Sequence, residues 1–222
     1  MSSAHLEFAA AVCLDLASLP RLDAPSVRRV RISYSKILQA QPAEVVYAFV
    51  CSLLENASWA HRVVAWEVLA SHAPAFKMLN DAEVEKMAEG LDDWASVDLF
   101  GVTVLGRAWR EGLVSDRKIQ SWTKSNNRWR RRLALVATVP LNLKARGGTG
   151  DTARTIQICR VLLDDRDDMV VKAMSWALRE LAKRDAKAVA EFVEREGNRL
   201  APRIKREVLN KLQTGHKVRP SR

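Results

Sequence analysis

Long apolar runs are missing from this chain of 222 residues. Even "EFAAAVCLDLASL" carries Glu7 and Asp15, so no membrane span is expected. The same stretch lacks a basic leader, which argues against a secretory signal. Cysteine is scarce as well: Cys13, Cys51 and Cys159 are far apart and odd in number, giving neither a disulfide framework nor a zinc site. Four scattered histidines, His5, His61, His72 and His216, offer no metal-ligand spacing. The expectation is a protein of the reducing cytoplasm without a metal site. No stretch alternates like a strand for more than a few residues, so strands are not expected either.

What is present is charge, unevenly spread. The net charge is +10, but residues 1–110 hold 10 basic and 13 acidic side chains, while residues 111–222 hold 26 and 13. The two parts therefore carry −3 and +13, and the C-terminal half is the expected face for a polyanion. A basic soluble protein with no nucleic-acid role is the alternative that charge alone leaves open.

The helical period runs through nearly every segment. It predicts helices at about 4–18, 24–39, 42–56, 58–72, 82–90, 94–111, 115–123, 127–138, 151–164, 168–184, 186–196 and 200–213. Between them lie turn-forming stretches such as "SLPRLDAP", "SHAPAF", "EGLVSD" and "KSNN". Paired off, the helices repeat at roughly 35 to 40 residues, the habit of a HEAT-like helical-repeat solenoid. The expected fold is all-α, a single curved domain over 1–214 with a basic concave groove. The Gly-rich "LNLKARGGTGD" reads as a mobile loop inside that domain, and 215–222 as a basic, disordered tail.

Three stretches carry candidate chemistry. In "DDWASVDLFG", residues 92–101, Asp98 shares a helical face with Trp94, Val97, Gly101, Leu105 and Trp109, and has no cation three or four residues away. A carboxylate on an apolar stripe needs compensation from outside its helix. In "DDMVVKAMSWALRELAKRD", Val170, Met174, Ala177, Leu178 and Leu181 form the core stripe, and Trp176 lies opposite with Lys172, Arg179 and Lys183. Such a face suits phosphates and a sugar or base; the alternative is a Trp buried under the next repeat with its cations reaching to water. In "KSNNRWRRRLALVATVP", Trp129, Arg132, Leu133 and Val136 share a side, and Arg128, Arg130 and Arg131 fan out around it. Arginine's planar fork fits phosphate, although a charge run is often only a solvated face. If these three helices line one surface, Trp94, Asp98, Arg132, Trp176 and Arg179 converge. A structural Asp98 bridged to one arginine is the plainer reading.

Together these elements resemble the DNA alkylation repair proteins built from HEAT-like repeats, the AlkD-like DNA glycosylases. "WASVD" is similar to that family's Trp-x-x-x-Asp element, which implies that Asp98 is the catalytic carboxylate and Trp94 a cleft Trp. "NRWRRRLAL" resembles its Asn-x-Trp-x-x-Arg element and implies a DNA-contacting Arg132. "VVKAMSWALRELAKRD" resembles a Lys-Ala-x-x-Trp-x-Leu-Arg-Glu element, implying Trp176 as the second cleft Trp and Arg179 as a backbone contact. Lys172, Lys183, Trp129, Arg128 and Arg131 complete the expected DNA-binding set.

The resemblance implies a monomeric, monofunctional glycosylase that excises cationic N-alkylated purines, N3-methyladenine and N7-methylguanine, from duplex DNA. It would need no metal or cofactor and would act in the cytoplasm, on the nucleoid when bound. An N-alkylated purine already weakens its glycosidic bond, and the departing base leaves an oxocarbenium-like sugar. A carboxylate in a water-poor cleft stabilises that cation by roughly 3–4 kcal/mol, and Trp faces add cation–π attraction. On this reading the partner of Asp98 is transient, the positive charge on the sugar. A non-catalytic repeat protein that binds damaged or branched DNA is the alternative of a different class.

Overall fold

The structure, a computed structural model, describes residues 3–56 and 58–218. It is all-helical, with no strand among the described residues. The chain divides into two compact units, Met1–Glu89 and Gly90–Arg222.

In the first unit the helices are α1 (Ala4–Ala17), α2 (Ala24–Leu38), α3 (Ala43–Leu54), α4 (Trp59–Ser71), α5 (Ala73–Phe76) and α6 (Asp81–Met87). Helix starts fall where side-chain oxygens can accept an orphan backbone N–H. Asp23 accepts from the amide of Ser26 at 2.9 Å, and Asn80 from that of Ala82 at 2.9 Å. The short α5 was not expected inside "SHAPAF". There the buried His72 ring accepts from the Ala75 amide at 3.1 Å, and Pro74 sits in the first turn. Phe49, Val64, Trp66, Leu69 and Phe76 fill the core with no exposed surface.

The second unit holds α7 (Trp94–Phe100), a π-helical segment (Gly101–Leu105), α8 (Gly106–Arg110), α9 (Asp116–Thr123), α10 (Arg128–Val136), α11 (Val139–Asn142), a 3-10 turn (Lys144–Arg146), α12 (Thr152–Val161), α13 (Asp168–Leu181), α14 (Ala186–Glu196) and α15 (Pro202–Thr214). Helices α7, α10, α13 and α15 pack side by side as one row, and α9, α12 and α14 each back their successor in that row. On α13 the expected core stripe is buried, from Val170 through Leu181.

Polar links between successive repeats keep a nearly constant spacing along the chain. Tyr47 pairs with Glu83 and Ser71 with Ser35, each 36 residues apart. Arg132 reaches Asp98, and Arg131 reaches Asp165, over 34. Arg203 reaches Asp168 over 35. Equivalent positions of neighbouring pairs thus meet at the period expected of a helical repeat.

Two expectations are corrected. The helix expected at 94–111 is interrupted by the π turn, in a run where Gly101, Val102, Thr103 and Val104 are poor α-formers. Its two glycines permit close packing: a Cβ on Gly101 would lie 2.6 Å from Val136 Cγ1, and one on Gly106 would lie 2.5 Å from the Ala137 carbonyl oxygen. The Gly-rich loop is tied down rather than free. Arg184 donates to the carbonyls of Asn142 (2.8 Å) and Gly148 (3.0 Å), and Arg110 to those of Pro140 (3.2 Å) and Arg146 (2.9 Å). Of the expected tail, residues 215–218 turn back so that Lys217 lies 3.7 Å from Glu207; residues 219–222 lie outside the described residues.

Candidate active site and nucleic-acid interface

Asp93 caps α7 by accepting the Ser96 amide at 2.8 Å, which sets the phase of the helix and turns the face of Asp98 and Gly101 toward α10. Asn127 caps α10 in the same way through the Trp129 amide at 2.8 Å. With both starts fixed, Arg132 meets Asp98. Its Nε donates to Oδ1 at 2.9 Å and its Nη2 to Oδ2 at 2.7 Å, while Nη1 donates to the Met169 carbonyl at the start of α13. One side chain therefore ties three helices of the row together. The expectation that Asp98 has only a transient partner is overturned: its standing partner is Arg132. The physical reason is the parallel stacking of α7 and α10, which puts two polar side chains of adjoining apolar faces at the same level.

The pair is largely withdrawn from water, with side-chain exposures of 18% for Asp98 and 6% for Arg132. Burial pushes the Asp98 carboxyl above the ordinary 3.8 of an aspartate; the Arg132 fork opposes this, and the nearby charge of Asp93 adds to it. The fork takes one lone pair from each oxygen, and a carboxylate has about four such sites. An edge of Asp98 therefore stays available on its exposed side.

Trp94 stands one turn before Asp98 and is 59% exposed, unusual for so large an apolar group. Trp176 is half-buried on α13, off the core stripe, and Trp129 is half-buried at the start of α10 with the Arg128 guanidinium 4.9 Å from its ring centre. Trp94 and Trp176 thus come from the two helices that flank α10.

The cations expected to bind DNA divide into two groups. Arg128, 53% exposed and only loosely paired with Asp167 at 3.7 Å, stays presented to solvent. Lys172 and Lys183, partly exposed, hold intrahelical carboxylates, Asp168 at 2.6 Å and Glu180 at 2.7 Å. The Lys172–Asp168 pair is exposed on both sides and breaks at little cost when a better anion arrives, whereas Glu180 is buried and Lys183 is its partner. Arg132, Arg131 and Arg179 are engaged within the fold. Arg131 clamps Asp165 at 2.6 Å and the carbonyls of Ser125 and Asn126. Arg179 donates to the Ser175 hydroxyl at 3.3 Å and lies 3.9 Å from Glu207. Burial lowers its pKa, with the charges of Glu207 and Glu180 opposing.

Glu207 itself was not anticipated. Buried on α15, it accepts from Ser175 at 2.7 Å and Arg203 at 3.0 Å. Burial alone would raise its carboxyl, but these donors and the Lys217 charge bring it below the usual glutamate value. The only signal in the sequence is an acid on the apolar stripe of Ile204 and Val208, the same kind of anomaly that singles out Asp98. A second missed feature is the Arg130 guanidinium 5.2 Å from the ring centre of Trp122.

A groove of about 400 Å³ between α12 and α14 is lined by Ile156, Arg160, Phe192 and Arg195 among others, and none of the candidate catalytic residues borders it. Among the described residues no cluster of His, Cys, Asp or Glu could hold a metal ion, and no helix is long and apolar enough to cross a membrane.

The sequence was compared with known proteins. No curated protein matches it. Residues 22–212, from the approach to α2 through nearly all of α15, match the family described as DNA alkylation repair enzyme. That match covers most of the chain and contains every candidate residue named above, and the chain belongs to the DNA alkylation repair enzyme family.

Proposed function

We propose that the protein is a monofunctional DNA glycosylase that releases cationic N-alkylated purines such as N3-methyladenine and N7-methylguanine from duplex DNA. The observation that carries this reading is the largely sheltered Asp98 carboxylate, oriented by the Arg132 fork and one turn from an open Trp94. The bond from the sugar C1′ to the purine nitrogen breaks, and its electron pair leaves with the base, neutralising the purinium. Positive charge passes to the sugar. Water then adds to C1′ and releases a proton to solvent, leaving an abasic site.

Asp98 faces the developing cation through its unpaired edge, and Arg132 is a positioning residue. It holds the carboxylate in one orientation and, as a permanent cation, keeps it ionised against the burial that raises its pKa. The indoles of Trp94 and Trp176 offer their faces to the cationic base and sugar. Arg128, Lys172, Lys183 and Trp129 hold the strand on either side, as a monomer, without metal or cofactor.

A second reading has one observation in its favour. A bidentate, mostly buried Asp98–Arg132 pair is also what a purely structural ion pair looks like, and a non-catalytic protein that binds damaged or branched DNA would need nothing more. The two readings part in one assay. Purified protein is incubated in EDTA with a duplex containing one N7-methylguanine, and alkali-labile abasic sites are scored. Their accumulation supports the glycosylase; binding without abasic sites supports the second reading, and activity that appears only on adding a divalent ion refutes metal independence.

A further inference from the structure

We propose that the loop 143–150 is a second DNA-backbone grip, in which Lys144 and Arg146 bind phosphates away from the lesion. This rests on the reading that the protein binds duplex DNA. Four cations meet in this loop within one hydrogen-bonded unit: Lys144 and Arg146 lie in it, and Arg110 and Arg184 donate to its carbonyls and to those leading into it. Among the described residues none of the four has a carboxylate partner. The acids that follow nearby along the chain are engaged elsewhere, Asp151 with the Arg154 amide at 3.0 Å and Asp185 with the Thr152 hydroxyl at 2.8 Å. Four cations against two capping carboxylates leave this cluster net positive, and a polyanion relieves the excess.

The loop is also built to hold one shape. Gly147 and Gly150 sit at φ 75° and 108°, conformations that other residues rarely adopt. A Cβ on Gly148 would come within 2.3 Å of the Pro140 carbonyl oxygen. The Gly148 and Gly150 amides return to the carbonyls of Leu143 (3.1 Å) and Leu141 (3.0 Å). With the backbone fixed from both sides by arginines, exposed Lys144 and Arg146 stand on a rigid base. Little ordering remains to be done on binding. Arg110 follows Asp98 by twelve residues across α7, the π turn and α8, at most roughly 18 Å further along at the α-helical 1.5 Å per residue. With one phosphate per 3.4 Å of each strand, the loop meets phosphates several nucleotides from the base being excised.

The test compares the full-length protein with Lys144→Ala/Arg146→Ala. Affinity for an undamaged duplex is measured across a salt series, beside melting temperature and wild-type excision of N7-methylguanine. The expected result is an unchanged melting temperature and a slope of log affinity against log salt reduced by roughly 1.8, or 0.9 for each phosphate lost; Lys144→Glu/Arg146→Glu weakens binding further. An unchanged slope in both variants overturns the proposal, even where the wild type excises normally. A reduced slope in a protein that excises nothing keeps this grip and removes the glycosylase reading. A wild type that does not bind duplex DNA removes both.

Discussion

Arg132 holds Asp98 at both ends of its fork, Nε to Oδ1 at 2.9 Å and Nη2 to Oδ2 at 2.7 Å, from a residue 34 positions further along the chain. The carboxylate is thereby oriented and kept charged while still partly open. Each feature of the proposed chemistry depends on that pairing.

Arg132→Lys keeps the positive charge and removes the planar fork, so it tests orientation separately from charge. A single ammonium cannot satisfy both carboxylate oxygens and the Met169 carbonyl. The variant is expected to lose stability, within the roughly 3–5 kcal/mol that follows full loss of a buried partner, and to excise more slowly even at temperatures where circular dichroism shows it folded. A folded variant with the wild-type excision rate would show that the fork does not position Asp98 for chemistry.

Acid should switch excision off earlier than an ordinary aspartate would. Burial raises the Asp98 pKa above 3.8, so protonation sets in at higher pH, and only the ionised form stabilises a cation. Single-turnover excision is therefore expected to rise with pH through a midpoint above 3.8 and then level off. The stability effect has the opposite sign: the fold favours the protonated group, so the contribution of Asp98 is greatest below its unfolded pKa and declines as pH rises through the folded one. A pH-independent excision rate across that range would contradict the role.

Gly101→Ala probes the distance between α7 and α10. The added methyl would lie 2.6 Å from Val136 Cγ1 and 3.3 Å from Leu133 Cδ1, so either these side chains or the helices must give way. A cost of about 1–3 kcal/mol is expected, together with slower excision as Asp98 moves off the fork. Relief by Val136→Ala in the double variant, of both melting temperature and rate, checks the cause.

Glu207→Gln should lower the melting temperature at neutral pH, because Ser175, Arg203 and Arg179 lose a shared anion. Its carboxyl lies below the ordinary 4.5, so its stabilisation is present above that value and is lost as pH falls through the folded pKa. The difference between wild type and variant in a melting series is expected to shrink toward acid pH. A constant gap would show that charge is not the cause.

Much of this was legible in the sequence, for reasons that are local. Asp23, Ser58, Asn127 and Asp167 sit where a cap is needed, so the helix starts follow from short-range chemistry. The core stripe of α13 follows from its period alone. Asp98 and Trp176 stood out because each breaks the pattern around it, and Trp94 because it shares the face of Asp98 one turn before it. An arginine bridged to Asp98 was the plainer reading of the sequence, but that it is Arg132, with a fork on both oxygens, depends on a contact 34 residues away, as the Ser175–Glu207 bond and the arginines that tie down the Gly-rich loop depend on contacts 30 or more away. The π turn was hidden for a related reason, since it lies where Gly101 and Gly106 meet Val136 and Pro140. Local propensity weakens an α-helix at such a place without saying what replaces it.

The central claim is that the Asp98 charge acts in the reaction and not only in the fold. Asp98→Asn alone would leave Arg132 stranded, mixing a stability loss with any rate loss. Asp98→Asn/Arg132→Gln removes both charges and strands neither, so it is expected to melt above Asp98→Asn, although the Met169 carbonyl loses its donor. The measurement is single-turnover excision of one N7-methylguanine from a duplex by that folded double variant. The account predicts a loss on the order of 10²- to 10³-fold; a folded double variant that excises at the wild-type rate would contradict it.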